Sequence, residues 1–334
     1  MIASVLVPVL NEAPHIRAAA AAMAAQRFDG ELEFLLVDGG STDGTRAILD
    51  ELAAADPCFR VLDNPQRTIP AALNLALAAA RGDYVARMDA HAVYPPDYVA
   101  LGVARLQRGD VDWVAGPAVP VGEGRWSRHV ARALTLPLGQ GGSRKWRPDA
   151  GGEEYELDTG VFAGVWRRST LQSLGGWDDT FLVNEDAEMA GRVLARGGRI
   201  VCVPAMAASY APRDSLRALF RQYWRFGFFR VRTSSRHPNA LRLSHLGSAG
   251  LAVIVAGLAV PGARRAAGLA CLAYAALVGA SVVRQEDLAP DERIGAAAAL
   301  STMHVGWGAG FLAGCLRHGP PLAAFKSAVL RRGR

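Results

Sequence analysis

The chain has 334 residues, a length that suggests two structural units rather than one. Residues 1–210 carry 20 basic and 26 acidic side chains, whereas residues 211–334 carry 17 basic and 5 acidic ones. This distribution argues against a nucleic-acid-binding protein and favours an acidic globular part that sits on an anionic membrane surface through a basic, apolar region. The four cysteines are far apart, which argues against a disulfide framework or a structural zinc site.

The first 116 residues alternate short apolar runs with helical patterns. Each run has the length of a strand, and most runs are apolar throughout, which is typical of a parallel sheet covered on both faces. The predicted strands are SVLVPV (4–9), LEFLLVD (32–38), FRVLDN (59–64), DYVARM (83–88) and VDWVAG (111–116).

Polar residues and helix breakers mark the predicted helix ends. Asn11 is predicted to cap the first helix, and Ser41 or Thr42 the second. The third helix has Pro70 near its first turn and Gly82 after its end, which is the usual placement of these two residue types.

The globular part is predicted to continue to about residue 212. A glycine-rich, charged stretch at 139–158 interrupts the pattern and is long enough to indicate a functional loop. EDAEMAGRVLARGG and RIVCVP then supply the last helix and strand. The alternation predicts an α/β fold of Rossmann-like type, with a mostly parallel sheet and helices on both faces.

The composition changes after residue 212. Residues 213–242 contain eight arginines and one acidic residue among aromatic side chains, which indicates a basic amphipathic segment at a membrane interface. Of three stretches without charged residues, 243–263 and 294–316 are long enough to span a bilayer, which takes about 20 residues. The stretch 266–283 is shorter and alanine-rich. The predicted domains are therefore a catalytic domain (1–212), the interfacial segment (213–242), transmembrane or membrane-embedded helices (243–316) and a basic tail (317–334).

Polar side chains follow three of the predicted strands. Ligands of open parallel sheets bind at the carboxyl ends of the strands, so these side chains are expected to share one site. A single aspartate at such a place is usually a helix cap, but three polar strand ends on one edge favour a ligand. The residues singled out at these strand ends are Pro8, Asn11 and Glu12 for the first strand, Asp38, Ser41 and Asp43 for the second, and Asp89 and His91 for the fourth.

Asp89 and His91 suit a metal ion. A carboxylate with a nitrogen or oxygen donor two residues later can hold Mg²⁺ or Mn²⁺ against a diphosphate. The spacing alone is a weak signal.

The motifs VPVLNE, VDGGSTDGT, RMDAH and NED occur in the order and rough spacing of glycosyltransferase family 2, which the chain resembles over about residues 3–235. The resemblance implies the GT-A fold and inverting transfer from a nucleotide sugar. Within the family the chain is most similar to membrane-associated, succinoglycan-type glucosyltransferases of exopolysaccharide synthesis. The shared features are the Asp-Ala-His form of the metal motif, an acceptor loop here reading GQGGSRKWR (139–147), and TMHVGWGAGF (302–311).

The resemblance also implies roles for individual residues. Asp38 would bind the uridine, Asp89 the metal and diphosphate, and Asp186 would be the general base with Glu185 as its neighbour. Family members usually have Asp where this chain has His91. The implied nucleotide-sugar-binding residues are Pro8, Asn11, Glu12, Asp38, Ser41, Asp43, Asn74, Arg87 and Asp89. For NED the alternative is a helix cap with favourable dipole charges, and that interpretation is adopted for Glu188.

QYWRF (222–226) matches the Gln-x-x-Arg-Trp motif of cellulose-synthase-like members, with Phe226 in place of Trp. Gln222, Arg225 and Phe226 are therefore predicted to contact the diphosphate or the acceptor. Arg230 has the same predicted role, with binding of anionic lipid head groups as the alternative. The Phe keeps an aromatic face but lacks the hydrogen-bond donor of Trp.

These features together predict a membrane-bound, inverting glycosyltransferase of the bacterial inner membrane, with its catalytic domain in the cytoplasm. It would move a sugar, glucose by its closest subgroup, from a UDP-sugar to a lipid-linked saccharide with Mg²⁺ or Mn²⁺. The alternatives are a polyprenyl-phosphate sugar transferase and a non-catalytic nucleotide-sugar-binding protein. A nicotinamide-dependent dehydrogenase is disfavoured because PVLNEAP, after the first strand, lacks the glycines of a dinucleotide-binding turn.

Overall fold

The computed structural model describes residues 1–146, 152–161 and 163–330. It divides into two compact units, one made of Met1–Val119 with Arg147–Tyr210 and the other of Pro120–Trp146 with Ala211–Arg334. The division near residue 210 lies close to the predicted boundary at 212. Residues 120–146, however, belong to the helical unit rather than to the sheet.

The strands are β1 (Ile2–Val9), β2 (Glu31–Asp38), β3 (Phe59–Asp63), β4 (Tyr84–Arg87), β5 (Trp113–Ala115), β6 (Ala118–Pro120), β7 (Tyr155–Glu156), β8 (Gly164–Arg167), β9 (Ile200–Cys202) and β10 (Ala208–Tyr210). The helices are α1 (Ile16–Ala24), α2 (Thr45–Ala55), α3 (Ile69–Ala79), α4 (Tyr98–Gln107), α5 (Arg125–Thr135), α6 (Pro137–Gln140), α7 (Arg168–Ser173), α8 (Glu185–Ala195), α9 (Leu216–Arg236), α10 (Leu243–Gly257), α11 (Arg264–Val283), α12 (Pro290–His318) and α13 (Leu322–Leu330).

The first unit is built on an eight-stranded sheet of order β3-β2-β1-β4-β8-β5-β9-β7. The pairs β1–β2, β2–β3, β1–β4 and β5–β9 are parallel, whereas β8 pairs antiparallel with β4 and β5, and β7 pairs antiparallel with β9. Leu35 and Leu36 point to opposite faces of β2, and both are fully buried because each face packs on a hydrophobic core. The predicted α/β fold with a mostly parallel sheet is confirmed.

The ends of the first three helices test the capping predictions. For the third, the predicted placement of Pro70 in the first turn of α3 and of Gly82 after its end is confirmed, and Thr68, which was not predicted, caps the helix. The first two are wrong, because α1 begins after His15 and α2 after Gly44, neither with a side-chain cap. The polar side chains expected as caps instead join the turns after β1 and β2 to each other.

Close helix packing dominates the second unit. Helices α9 and α12 run side by side in the same direction. Gly306, Gly310 and Gly314 of α12 face α9. These glycines lie against Phe220, Trp224 and Phe228 in turn. The four-residue spacing places all three glycines on one face of α12, so the two backbones can approach closely.

The predicted membrane spans require correction. The stretch 243–263 does not form one helix: α10 ends at Gly257, shortly before Pro261 and Gly262, and has 15 residues. In the described part of the chain, one helix is long and apolar enough to cross a bilayer, and it is α11, with a mean hydropathy of 2.0 over its best window. This is the stretch predicted to be too short, and α12 does not meet the same criterion.

Two predicted segments are described only in part. Residues 147–151 of the glycine-rich loop and residues 331–334 of the basic tail lie outside the described residues. The described part of the tail contains α13.

Candidate active site

The turns after β1 and β2 meet because Val9 and Asp38 are paired in the parallel register of these strands. Asp38 is 4% exposed. Its Oδ1 accepts hydrogen bonds from the Ser41 hydroxyl at 2.6 Å and from the Ser41 backbone N–H at 3.1 Å. Ser41 Oγ accepts a bond from the Asn11 N–H at 2.9 Å. The carboxylate of Asp38 is therefore held at the sheet edge by the turn that follows it.

Further bonds join the same two turns. The Asn11 side-chain oxygen accepts the Thr42 N–H at 2.8 Å, and Asn11 takes a left-handed backbone conformation with φ of 55°. Asp43 accepts the Thr45 hydroxyl at 2.5 Å and the Ala13 N–H at 3.2 Å. The bond from the Thr45 side chain lowers the pKa of Asp43, so this exposed carboxyl stays ionised. The polar groups predicted on these two strands are thus connected to each other by hydrogen bonds between the turns.

Arg87, the last residue of β4, is 3% exposed and lies between two carboxylates. Its Nε donates to Asp89 Oδ1 at 2.9 Å, and one terminal nitrogen donates to Glu185 Oε1 at 3.3 Å. A guanidinium can bind two acids at once because its donors form a planar fork. Arg87 therefore links the metal motif after β4 to the first residue of α8.

Glu185 lies beside Arg87 and Asp186, and 12% of its side chain is exposed. Burial raises its pKa to about 7, which Arg87 opposes and the neighbouring Asp186 carboxylate reinforces. Burial also works against the charge on Arg87, but Asp89 and Glu185 more than offset this, so the pKa of Arg87 is raised. The guanidinium remains charged while Glu185 can exchange a proton near neutral pH.

His91 contacts the first strand end. Its Nδ1 lies 2.8 Å from Glu12 Oε1, and the imidazole side chain is 46% exposed. The backbone N–H of Asp89 donates to the Tyr94 hydroxyl at 2.8 Å, which fixes the turn between the two predicted metal ligands. The contact joins the motifs VPVLNE and RMDAH at one place.

Asp89, His91 and Glu12 are the residues at this edge that could hold a divalent cation. Among the described residues, no three His, Cys, Asp or Glu side chains are grouped so that they could hold a metal alone. Mg²⁺ commonly takes only one or two carboxylates from the protein, with substrate phosphates and water completing its shell. Asp89 Oδ2 has one long contact of 3.4 Å to Arg87 and so keeps lone pairs for such a cation. The donor set fits a site completed by a diphosphate.

Asp186 lies in the first turn of α8. The preceding Asn184 is buried and has a φ of 66°, a conformation that Asn tolerates better than most residues. A Cβ atom at Gly160 would overlap the backbone carbonyl of Asp186. The position of the predicted base thus depends on Gly160 and on Asn184, the first residue of the NED motif, and neither was assigned a role from the sequence. An Asn directly before a helix start is the signal that could have pointed to Asn184.

Two other residues have structural contacts. Glu188 is fully buried and accepts two bonds from Arg192 one turn later, so it is structural as expected, but through an ion pair rather than a cap. The side chain of Asn74 donates to Trp177 O at 2.7 Å and to Asp179 at 3.0 Å, and it accepts the Trp177 N–H. A nucleotide-sugar donor that contacts Asn74, as predicted, would have to share these side-chain atoms with Trp177 and Asp179.

The remaining predicted site residues lie away from the turns described above. Pro8 lies within β1, paired with Val37. Gln222, Arg225, Phe226 and Arg230 lie on α9 in the second unit. Arg225 is exposed, and the Phe226 ring packs edge-on to Tyr223 at 5.6 Å. The role of these four in binding diphosphate or acceptor stays a prediction.

An open α/β sheet with acidic strand ends beside an acidic helix start has the architecture of the GT-A glycosyltransferases. The model of glycosyl transferase family 2 matches residues 4–169. The succinoglycan biosynthesis protein ExoA of Rhizobium meliloti (strain 1021) is 36% identical over 318 residues, which cover 92% of this chain and 93% of that protein. The chain therefore belongs to glycosyltransferase family 2.

Two solved structures share the fold. The mannosyltransferase PcManGT from Pyrobaculum calidifontis, in complex with GDP-Man and Mn²⁺, aligns with a TM-score of 0.58 at 21% identity and covers 95% of this chain and 87% of its own. TarS 1–349 of S. aureus aligns with a TM-score of 0.51 at 16% identity and covers 96% and 92%. At these identities the likeness shows a GT-A-like fold.

Proposed function

We propose that the protein transfers a sugar from a UDP-sugar, with inversion, to a lipid-linked saccharide in bacterial exopolysaccharide synthesis. The observation that carries this proposal is the hydrogen-bonded edge of the sheet. There Ser41 orients Asp38, and Arg87 joins Asp89 to the start of α8. The extensive similarity to a succinoglycan biosynthesis protein supports the biosynthetic context. Glucose is the proposed sugar.

The residues of the sheet edge divide the work of donor binding. Asp38, buried and oriented by Ser41, accepts hydrogen bonds from the nucleoside, while Glu12 and Asp43 shape the turns around it. Asp89 and His91 face the diphosphate and would hold Mg²⁺ or Mn²⁺. When bound, the cation neutralises charge on the leaving diphosphate. The Mn²⁺ complex of a mannosyltransferase with the same fold supports this assignment.

Asp186 acts as the general base. In a single displacement at the anomeric carbon, the acceptor hydroxyl attacks as the nucleoside diphosphate leaves, and a carboxylate must take the hydroxyl proton. Asp186 is partly exposed at the start of α8, whereas Glu185 beside it is turned to Arg87. Glu185 therefore fixes the helix start and leaves Asp186 for the substrate.

The second unit contributes acceptor binding and membrane attachment. Gln222, Arg225, Phe226 and Arg230 would contact the diphosphate or the acceptor. The exposed leucines of α11 and the six arginines of α9 suit an anionic bilayer surface and support a proposed location at the inner membrane, with the catalytic unit in the cytoplasm.

The test is a screen of the purified protein against UDP-sugars, with GDP-mannose as a comparison donor. The acceptor is an extract of membrane lipids, and the readout is the released nucleoside diphosphate. UDP-glucose should give metal-dependent release of UDP that the extract strongly increases, and a single displacement at the anomeric carbon should invert the configuration in the product. Full activity in EDTA would remove the metal from the proposal.

The second candidate is a transferase that uses polyprenyl phosphate itself as the acceptor. The arginine-rich α9 suits either acceptor. Mass spectrometry of the lipid product separates them, because the first proposal adds one hexose to an existing saccharide and the second forms a polyprenyl-phosphate monosaccharide. A protein that binds UDP-glucose but releases no UDP with any acceptor would be a binding protein.

A further inference from the structure

The short segment 137–143 contains the first five residues of the GQGGSRKWR motif. It is hydrogen-bonded to two helices of the second unit. The Ser244 hydroxyl, on α10, donates to the carbonyl oxygen of Gly141 at 2.7 Å. His304 Nε2, on α12, lies 3.1 Å from the carbonyl oxygen of Leu138. Two side chains from different helices therefore hold the backbone of one turn.

A third helix contributes through His304. The hydroxyl of Tyr274, on α11, lies 2.8 Å from His304 Nδ1. Burial lowers the pKa of His304, which favours the neutral imidazole. A carbonyl oxygen can only accept, so the ring proton must be on Nε2, and Nδ1 must then accept from the tyrosine hydroxyl. Tyr274 thus selects the tautomer that can bind Leu138.

The turn itself has little room to move toward the helices. A Cβ atom at Gly139 would overlap the carbonyl oxygen of Ala133 and approach Leu300 of α12. Gly141 and Gly142 have φ values of 56° and 78°, in the region that favours glycine. The glycines of the motif are therefore explained by the way this turn lies on the helices.

We propose that Ser244, Tyr274 and His304 are positioning residues that fix the turn 137–143, and with it residues 144–146, so that this part of the second unit can orient the saccharide acceptor. This inference rests on the proposed function, in which the second unit contributes acceptor binding. It gives the helices α10, α11 and α12 a part in the reaction beyond attachment to a membrane. Each of them supplies one side chain of the network.

The variants that test it are Ser244→Ala, Tyr274→Phe and their combination, in the full-length protein reconstituted with lipid. Each removes one hydroxyl and leaves the rest of the side chain in place. The matched control is Thr302→Val, which removes a hydroxyl bonded only within α12, to Ala298 O at 2.8 Å, two residues from His304.

The first readout is hydrogen exchange of peptides covering 137–146. In the native turn, the Ser143 N–H donates to Gln140 O at 2.8 Å and the Gln140 N–H to Leu136 O at 2.9 Å. Loss of one supporting bond should speed exchange of these amides by about 3- to 10-fold, the factor expected for one net hydrogen bond. The double variant should exceed either single one, and Thr302→Val should match the wild type.

The second readout compares acceptor use with donor use. The KM for the lipid extract should rise by about 3- to 10-fold in the double variant. Slow hydrolysis of UDP-glucose without acceptor should change by less than about twofold, because no residue of the donor site is altered.

Unchanged exchange in the double variant would overturn the proposal. Faster exchange with an unchanged acceptor KM would overturn the positioning role while leaving sugar transfer intact. If the wild-type protein itself releases no nucleoside diphosphate from any nucleotide sugar in the presence of the extract, the proposed function fails, and the exchange experiment still decides whether these side chains hold the turn.

Discussion

Arg87 joins two parts of the candidate site that are 98 residues apart in the chain. Arg87→Met would leave Asp89 and Glu185 partly buried without their shared cation. Removal of one partner of a buried ion pair costs about 3–5 kcal/mol, so a loss of unfolding free energy on that scale is expected, with weaker metal binding. Chemical denaturation and Mn²⁺ titration measure the two effects.

The control for this change is Arg46→Met. Arg46 pairs with Asp50 and Asp63, but it is 43% exposed, and exposed pairs contribute about 0–1 kcal/mol. Equal stability of the two variants would show that the Arg87 bridge contributes no more than a surface pair.

Asp186→Asn separates a base from a helix cap. Asn keeps a carbonyl oxygen that can accept the Ala187 N–H, now bonded to Asp186 at 2.7 Å, so the fold and UDP binding should survive. Turnover should fall by roughly 10²-fold or more, since general-base catalysis contributes about 10²–10⁴-fold. Initial rates of UDP release at saturating substrates, beside a melting curve, check this. Near-wild-type turnover would leave Asp186 a structural role alone.

Glu185 should make stability depend on pH. Its pKa is raised from an ordinary value of 4.5 to about 7 in the folded chain. Between these values the folded state keeps a proton that the unfolded state releases, so the free energy of unfolding should fall as pH rises from 4.5 to 7. Glu185→Gln cannot titrate, so it should flatten this slope in denaturation at pH 5, 6 and 7. An identical slope in both proteins would refute the assignment.

Helix packing in the second unit depends on glycines rather than on side-chain interlocking. A Cβ atom at Gly310 would overlap the carbonyl oxygen of Trp224, a backbone atom that cannot move aside alone. Gly310→Ala should therefore destabilise α12 against α9 by about 1–3 kcal/mol, the usual cost of overpacking. The change is measured as a shift in the thermal unfolding of the purified protein.

Gly279→Ala is the matched control because nothing lies within 4 Å of a Cβ atom there. This change in α11 should be neutral or stabilising by up to about 1 kcal/mol, since alanine is the better helix former. A loss at Gly279 equal to that at Gly310 would mean that helix packing is not the cause.

Some elements follow from sequence because local pattern and tertiary contacts agree, as in β1, β2 and α3. The caps predicted for α1 and α2 failed because Asn11 and Ser41 bond across two turns, a long-range pairing that no local pattern contains. The acidic strand ends could be predicted from motif order, but the Arg87 bridge to Glu185 could not, since it depends on how α8 returns to β4. Strand ends are local, whereas ion pairs between distant elements are tertiary.

Membrane topology belongs to the molecule as a whole, and the packing of the second unit constrains it. Four residues separate β6 from α5, too few to cross a bilayer core of about 30 Å. The start of α5 would therefore be on the same side of a bilayer as β6. Helix α12 packs Gly295 on His129 of α5 and Gly310 on Trp224 of α9. Helix α9 carries six arginines and cannot itself span.

If the second unit is attached to a bilayer, this packing requires the chain between α9 and α12 to cross it an even number of times or not at all. A single crossing by α11 would put α12 on the side of the bilayer opposite to α5 and α9. Three spans would put the end of the chain on that opposite side. In a membrane-attached protein, the exposed leucines of α11, with Leu269 and Leu272 at 70% and 68%, would contact lipid either beside α10 in a hairpin or along the interface.

The C-terminus should consequently lie in the cytoplasm, as the basic end FKSAVLRRGR also favours. A fluorescent protein that matures only in the cytoplasm, fused after residue 334, should be bright, and alkaline phosphatase at the same position should be inactive. One added apolar span of about 20 residues before each reporter must reverse both results, which controls for reporter failure. Active phosphatase without the added span would require an odd number of crossings, and the packing of α12 on both α5 and α9 would then be impossible in the membrane.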